Sequence, residues 1–457
     1  MLLLQFFTPK IAHSSYILAG SHSCAVIDPR RDVQIYIDAA KAAGWKITHV
    51  IETHLHADFI SGHLDLAQKT GATVYAPDMG QCSFEHVPVS EGSEITLEDM
   101  TLQVIDTPGH TPEHVSYVVI DTSRGTEPVG VFCGDTLFVG DVGRPDLFPG
   151  RAHELASALY SSLHDKLLRL PDYCEIYPAH AAGSLCGKAI AAKRQSTIGF
   201  ERRHNPALLI SDKEAFIASL TVDMPPAPDH FGRCSAINAK GPALISSLAS
   251  PRALEPHEFA ALAAQTSAVI VDIRSYASFG GQYIAGSFGL NLQANFPTFA
   301  GWVVPPDKDI LLVTSNSSEV TEAVDWLRRV GMDRTVGFLN GGTPAWATAG
   351  LALKHIAQLS SEELRDLVQH QSEAVIVDVR ARSEYDSGHI KRAINIPVAD
   401  LRTRYVELDS AAETAIYCSS GNRSILGASL LAQRGFARLM NVAGGLSGYR
   451  AAGFPLD

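Results

Sequence analysis

Thr53-His54-Leu55-His56-Ala57-Asp58-Phe59, entered from the apolar, partly β-branched run Ile47-Thr48-His49-Val50-Ile51, decides how the front half of the chain is read. At an extended strand end the side-chain period is two, so His54 and His56 are expected to project to one side and aim two imidazoles at one point. Further along stand, in order, Asp106-Thr107-Pro108-Gly109-His110, Phe132-Cys133-Gly134-Asp135 and Tyr177-Pro178-Ala179-His180. Each follows an apolar run of strand character, so each delivers a His or Asp just past a strand end. Imidazoles and carboxylates gathered in this way point to a metal site.

The frame around these motifs is that of a folded, multi-domain chain. Its 457 residues exceed one ordinary core, and 46% apolar with 19% charged residues excludes a disordered chain. A formal net charge of −12 argues against non-specific nucleic-acid binding through the whole surface. Seven cysteines without close pairs fit neither a disulfide scaffold nor a cysteine-rich zinc module, and so favour the cytoplasm. Met1 to Phe7 is apolar but has no basic segment before it and soon meets Pro9 and Lys10, so it is read as a first strand and not as a signal or a membrane span.

Strands alternate with helices through the first part, with helices expected over 33–43, 60–69, 152–168 and near 213–220. Behind them Met224-Pro225-Pro226-Ala227-Pro228 predicts a stiff, non-helical connection, and a Ser/Pro/Gly-rich stretch runs on to Pro251. A repeat follows. Ala268-Val269-Ile270-Val271-Asp272-Ile273-Arg274 returns as Ala374-Val375-Ile376-Val377-Asp378-Val379-Arg380, and Asn340-Gly341-Gly342 returns as Ala443-Gly444-Gly445. The expected domains are 1–245, 255–352 and 358–457, each long enough for its own core.

In the last domain Cys418-Ser419-Ser420-Gly421-Asn422-Arg423 joins a strand to a helix that takes in Ser424. Successive amides of such a loop, with the first helical turn, stabilise an anion on the cysteine sulfur, and Arg423 is expected to add a fixed positive charge. In the earlier copy the aligned stretch begins at Thr314 and ends at Glu319. It lacks the thiol and carries a carboxylate that would repel one, so that copy is expected to be catalytically inactive.

Both repeats resemble the rhodanese domain, through Asp-x-Arg, Gly388-His389-Ile390, the Cys418 loop and the terminal Gly-Gly. The front segment resembles the metallo-β-lactamase fold. Over nearly its whole length it is similar to the persulfide dioxygenases of that superfamily, through Thr53 to Asp58, Asp106 to Thr111, Gly134 to Leu137, Gly143-Arg144 and Tyr177 to His180. These resemblances imply an α/β chain: an N-terminal αββα sandwich followed by two α/β rhodanese-like domains. They imply one Fe(II) per chain on His54, His110 and Asp135, no organic cofactor, and oxidation of a persulfide of glutathione or a similar thiol by O2 to sulfite. Two imidazoles and a carboxylate leave about three coordination positions open for a substrate and O2.

By the same resemblance His56, Asp58, Tyr177 and His180 orient ligands or line the pocket, and Arg144 meets the carboxylates of a thiol tripeptide. Cys418 carries sulfane sulfur in its cradle of Ser419, Ser420, Gly421, Asn422 and Ser424, with sulfite or thiosulfate as partner, in sulfide detoxification. A cytoplasmic homo-oligomer is expected, with no nucleic-acid or membrane partner. Phe59 stands where the fuller metallo-β-lactamase signature has another His. It cannot ligate, and with only Asp58 and His180 left over a second metal would be poorly held, which argues against two-metal water activation. The competing reading is a zinc-dependent, glyoxalase II-like thioesterase with rhodanese appendages.

Overall fold

A computed structural model describes residues 1–457 apart from Asp223, Pro225, Pro226 and Gln371. The described residues form two compact units, Met1–Leu248 with Arg328–Gly331, and Ala249–Leu327 with Met332–Asp457.

The first unit is built on two six-stranded sheets. One runs Leu2–Thr8, His13–Ala19, Ser23–Ile27, Lys46–Ile51, Thr73–Pro77 and Val87–Val89 in that order. The other runs, from edge to edge, Ser196–Thr197, Glu175–Pro178, Pro128–Gly134, Val115–Asp121, Met100–Asp106 and Glu94–Leu97. Strand alternation sorts the side chains between layers. Tyr16 and Leu18 join Leu102, Val104, Tyr117 and Phe132 in a core that draws on both sheets. Ile17 and Ala19, one residue out of phase, face the opposite side and pack in a cluster with Tyr36 and Ala40 of helix Gln34–Ala43 and Leu66 of helix His63–Thr70. On the outer face of the second sheet, Val131, Cys133 and Ile176 pack with Leu159 of helix Ala152–Ser161 and Phe216 of helix Lys213–Thr221. The result is an αββα sandwich.

The second unit holds two parallel five-stranded sheets of one topology. In the first copy the strand order is Arg252–Leu254, Thr335–Leu339, Asp309–Val313, Ala268–Asp272, Phe288–Gly289. In the second it is Ala357–Leu359, Leu439–Val442, Thr414–Tyr417, Val375–Asp378, Ile394–Asn395. The Asp-x-Arg repeat is a buried fork: Arg274 pairs with Asp272 at 2.5 Å and Arg380 with Asp378 at 2.6 Å. Each guanidinium also donates to a loop carbonyl, that of Gln282 or Gly388.

Two expectations change. The helix predicted over 152–168 is α-helical only from Ala152 to Ser161 and then widens into a π turn, Ser162–Lys166. The Ser/Pro/Gly-rich stretch contains an unforeseen helix, His230–Lys240, because Phe231 and Cys234 give it a narrow apolar stripe in an otherwise polar sequence. The expected stiff connection at Met224 to Pro228 lies partly outside the described residues. No described helix is long and apolar enough to cross a membrane.

Candidate metal centre and sulfur loop

His54, His110 and Asp135 meet in the first unit although they come from three separate loops. His54 follows the strand Lys46–Ile51, His110 lies between strands Met100–Asp106 and Val115–Asp121, and Asp135 follows Pro128–Gly134. The Asp135 Oδ2 atom lies 3.3 Å from His110 Nε2 and 3.8 Å from His54 Nε2, and all three side chains are fully buried. Gly143 permits the close packing, since a Cβ there would land on the Asp135 carbonyl and 3.0 Å from His110 Cβ.

Hydrogen bonds fix which nitrogen each imidazole offers. Thr53 Oγ1 donates to Asp28 Oδ2 at 2.9 Å, so at its 2.9 Å contact with His54 Nδ1 the hydroxyl oxygen accepts. His110 Nδ1 donates to the Arg144 carbonyl at 2.9 Å. Both rings therefore present a bare Nε2 lone pair. Those two nitrogens and Asp135 Oδ2 are buried without a hydrogen-bond partner. Burial, then the neighbouring imidazoles, holds His54 well below the ordinary histidine pKa, and burial also lowers His110. Two neutral imidazoles and one carboxylate oxygen, unpaired and convergent, fit a divalent cation.

Asp135 is held from its other side as well. His180 Nδ1 donates to Asp135 Oδ1 at 2.7 Å and His180 Nε2 to Asp58 Oδ2 at 2.8 Å. Burial alone would push the Asp135 carboxyl up, but the His180 and His110 rings beside it bring it below the usual carboxylate range. Burial would likewise lower His180, yet Asp135 and Asp58 raise it well above the ordinary value, so it sits as an imidazolium between two carboxylates. His114, pushed down to about 3 by burial, accepts the Asp135 amide on its Nε2 at 2.9 Å.

Several expected site residues stand elsewhere. The His54 and His56 rings lie together, centroids 4.1 Å apart, but their Nε2 atoms join different groups, because the strand ends at Ile51 and the period of two does not extend past it. The His56 Nε2 atom turns to Asp28 at 3.2 Å and Glu52 at 3.6 Å, forming a separate buried group. Tyr177 alternates into the core between Tyr16 and Phe132, and its hydroxyl donates to Glu175 at 2.7 Å. Arg144 is neither on the surface nor open to a substrate: it is 1% exposed and forks onto Asp146 at 2.7 Å through both Nε and Nη2. Phe59 is fully buried, 4.1 Å from the His13 ring and 4.4 Å from that of His56.

Besides His114, three contributors escaped the sequence reading. Cys186 completes a second potential ligand group with Asp58 and His180, so more than those two residues is left over beside Phe59. His13, fully buried with neither nitrogen bonded, packs against His180 and His56. Asn238, on the unforeseen helix, donates to the carbonyls of His56 and Phe59 at 2.8 Å each and accepts the Ser61 amide at 2.9 Å.

In the second unit Cys418 directly follows the strand Thr414–Tyr417, four residues before the start of helix Asn422–Gln433. Its Sγ accepts the Gly421 amide at 3.1 Å and the Ser424 hydroxyl at 3.6 Å. The Leu446 and Ser447 amides hold the carbonyls of Cys418 and Ser419 at 2.7 Å and 3.0 Å, while Ser420 is exposed. The fixed positive charge expected of Arg423 is paired, because both its terminal nitrogens donate to Glu384, at 2.5 Å and 2.8 Å. One amide and one hydroxyl thus contact the sulfur directly. In the first copy the Thr314 hydroxyl donates to Glu319 and leaves no thiol in the corresponding place.

The model of the metallo-beta-lactamase superfamily matches residues 9–180, and that of the rhodanese-like domain matches residues 255–349 and 360–452. Over 221 residues the chain is 32% identical to the mitochondrial persulfide dioxygenase ETHE1 of Mus musculus, spanning 47% of this chain and 78% of the relative. Over 184 residues it is 34% identical to the hydroxyacylglutathione hydrolase of Methylococcus capsulatus, spanning 39% of this chain and 66% of that enzyme. A crystal structure of a metallo-beta-lactamase from Staphylococcus aureus matches with a TM-score of 0.66 at 33% identity, over 74% of this chain and 98% of that one.

Proposed function

Because the chain belongs to the metallo-beta-lactamase superfamily, as a metal-site enzyme of sulfur and thiol metabolism with two rhodanese-like domains behind the first, we propose that it is an iron-dependent persulfide dioxygenase whose last domain transfers sulfur. The observation that carries this reading is the set of three unpaired buried atoms, His54 Nε2, His110 Nε2 and Asp135 Oδ2. When bound, Fe(II) supplies the redox path to O2 that zinc lacks.

The protein's own residues then have definite tasks. Thr53 and the Arg144 carbonyl keep both imidazoles in one tautomer. His180, on Asp135 Oδ1, fixes the carboxylate so that Oδ2 alone is presented. Burial excludes bulk water from the centre. One persulfide, one O2 and one water give one thiol, one sulfite and two protons. At Cys418 the thiolate takes a sulfane sulfur as a persulfide, and sulfite attacking that sulfur releases thiosulfate and the thiolate; the reverse reaction loads it. The thiol of the substrate is glutathione or a similar small molecule.

A two-metal thioester hydrolase is the second reading, favoured by the Asp58, His180 and Cys186 group and by the hydroxyacylglutathione hydrolases among the relatives. Against it, both His180 nitrogens are engaged, so a second metal would have to displace the Asp135–His180–Asp58 chain. Anaerobic reconstitution with Fe(II), followed by O2 uptake on glutathione persulfide, separates the two. Sulfite formation with about one iron per chain is expected. Two tightly held zincs, thioester hydrolysis and no O2 uptake would overturn the proposal.

A further inference from the structure

The first rhodanese-like copy lacks a nucleophile, yet it is packed along the helix that opens at the nucleophile of the other. Gly289 N–H donates to Ser429 Oγ at 3.1 Å, Gln433 reaches the Ser287 carbonyl at 3.3 Å, and Asn291 Nδ2 donates to Asn422 Oδ1 at 2.8 Å. These contacts run from the last turn of Asn422–Gln433 to its first residue. Beyond that residue stands Tyr276, at the start of the first copy's helix Tyr276–Gly281. Three atoms of its ring lie 3.2–3.3 Å from where a Cβ on Gly421 would be. The ring occupies the space that a side chain at residue 421 would need. Gly421 itself has φ +102°, a conformation that L side chains rarely adopt, and its amide is the one 3.1 Å from Cys418 Sγ.

We propose that Tyr276 of the inactive copy is a positioning residue of the sulfur site in the active one: its ring is a wall that holds Gly421 in the left-handed conformation, with the amide aimed at Cys418 Sγ. Without the wall, a glycine with wide conformational freedom can turn that amide away. A hydrogen bond to developing negative charge loses its strength steeply with angle, and Cys418 develops that charge each time it gives up a sulfur. The tyrosine hydroxyl has no part in this, so the ring alone should suffice. The inactive copy then supplies one wall of the loop that cradles the sulfur.

The inference rests on Cys418 being the sulfur centre, and the test separates the two. Full-length protein is loaded with sulfane sulfur from thiosulfate and discharged to cyanide in a single turnover. The Cys418 persulfide S–S bond breaks, the outer sulfur leaves as thiocyanate, and the electron pair stays on Cys418 as thiolate. Tyr276→Ala should lower the discharge rate constant about tenfold at an unchanged amplitude per chain, and Tyr276→Phe should restore it. An undiminished rate constant in Tyr276→Ala overturns the proposal, as does a fall in amplitude alone, which would mean only that fewer chains are folded. Should the alanine variant fail to fold, Tyr276→Val, which takes away the ring but keeps an apolar side chain, is expected to slow discharge severalfold, and a wild-type rate there overturns it. Wild-type protein that transfers no sulfur overturns the Cys418 reading and this one with it.

Discussion

Replacing Asn238 by alanine tests whether the metal loop is held by the helix that follows it. The side chain is 1% exposed and makes three hydrogen bonds, to the His56 and Phe59 carbonyls and from the Ser61 amide. Each buried bond contributes about 1 kcal/mol net, and a partner left unpaired costs at least that, so the loop loses roughly 3 kcal/mol of local stability. An opening free energy lower by that amount raises the open population by about two orders of magnitude. Amide exchange read by mass spectrometry on peptides covering residues 54–61 should speed up accordingly, while peptides covering the strand Thr414–Tyr417 stay as they were. Metal retention against a chelator should weaken in parallel, because His54 lies at one end of the same loop. Exchange of residues 54–61 within about threefold of wild type would refute the reasoning.

Asp135→Asn, His54→Ala and His110→Ala should each abolish metal retention and O2 uptake and leave cyanide-dependent sulfur transfer intact, with His56→Ala milder; equal loss of iron in His54→Ala and His56→Ala, read by elemental analysis, would count against the assigned ligands. Cys418→Ser should remove sulfur transfer and leave persulfide oxidation to sulfite unchanged, because a hydroxyl cannot form a persulfide; wild-type thiosulfate output from that variant would place the transfer elsewhere. Burial would raise the Glu384 carboxyl, but its fork with Arg423 pulls it to about 2. The folded value lies below the unfolded one of about 4.5, so the pair's stabilisation is complete above that pH and is lost as pH falls towards 2. Glu384 is 37% exposed, and screening reduces the gain to about 1 kcal/mol. Wild type should therefore exceed Glu384→Gln in unfolding free energy at about pH 7 and lose the advantage at about pH 2.5; a gap independent of pH would contradict this.

The sandwich, the repeat and the meeting of His54, His110 and Asp135 were readable in the sequence because each rests on a local signal. Apolar strands end in His or Asp, and one apolar phrase recurs about a hundred residues on. What was hidden depends on side-chain direction or on distant partners. The period-two argument for His54 and His56 failed because it was applied past the end of its strand. Tyr177 was misplaced by one step of the same alternation: Ile176 faces the helices and Tyr177 the other sheet. Cys186 and Asn238 belong to no recognisable spacing, and each finds its role only by folding back onto a loop more than a hundred residues earlier. Arg144 was read as meeting the carboxylates of a substrate and Arg423 as a fixed charge beside the thiol, and neither reading foresaw that Asp146, two residues on, and Glu384, 39 residues back, would fork onto them.

The Asp-x-Arg fork appears in both copies of the second unit, at 2.5 Å in one and 2.6 Å in the other, although one copy has a thiol and the other does not. A buried pair that also ties down a neighbouring loop belongs to the architecture, and it persists wherever the sheet does. Counting the forks of this chain counts its rhodanese-like modules, whereas thiols are counted at the residue just past the third strand of each sheet, Thr314 in one copy and Cys418 in the other. For this protein the two tallies differ: two forks, Asp272 with Arg274 and Asp378 with Arg380, and one cysteine, Cys418, at that position.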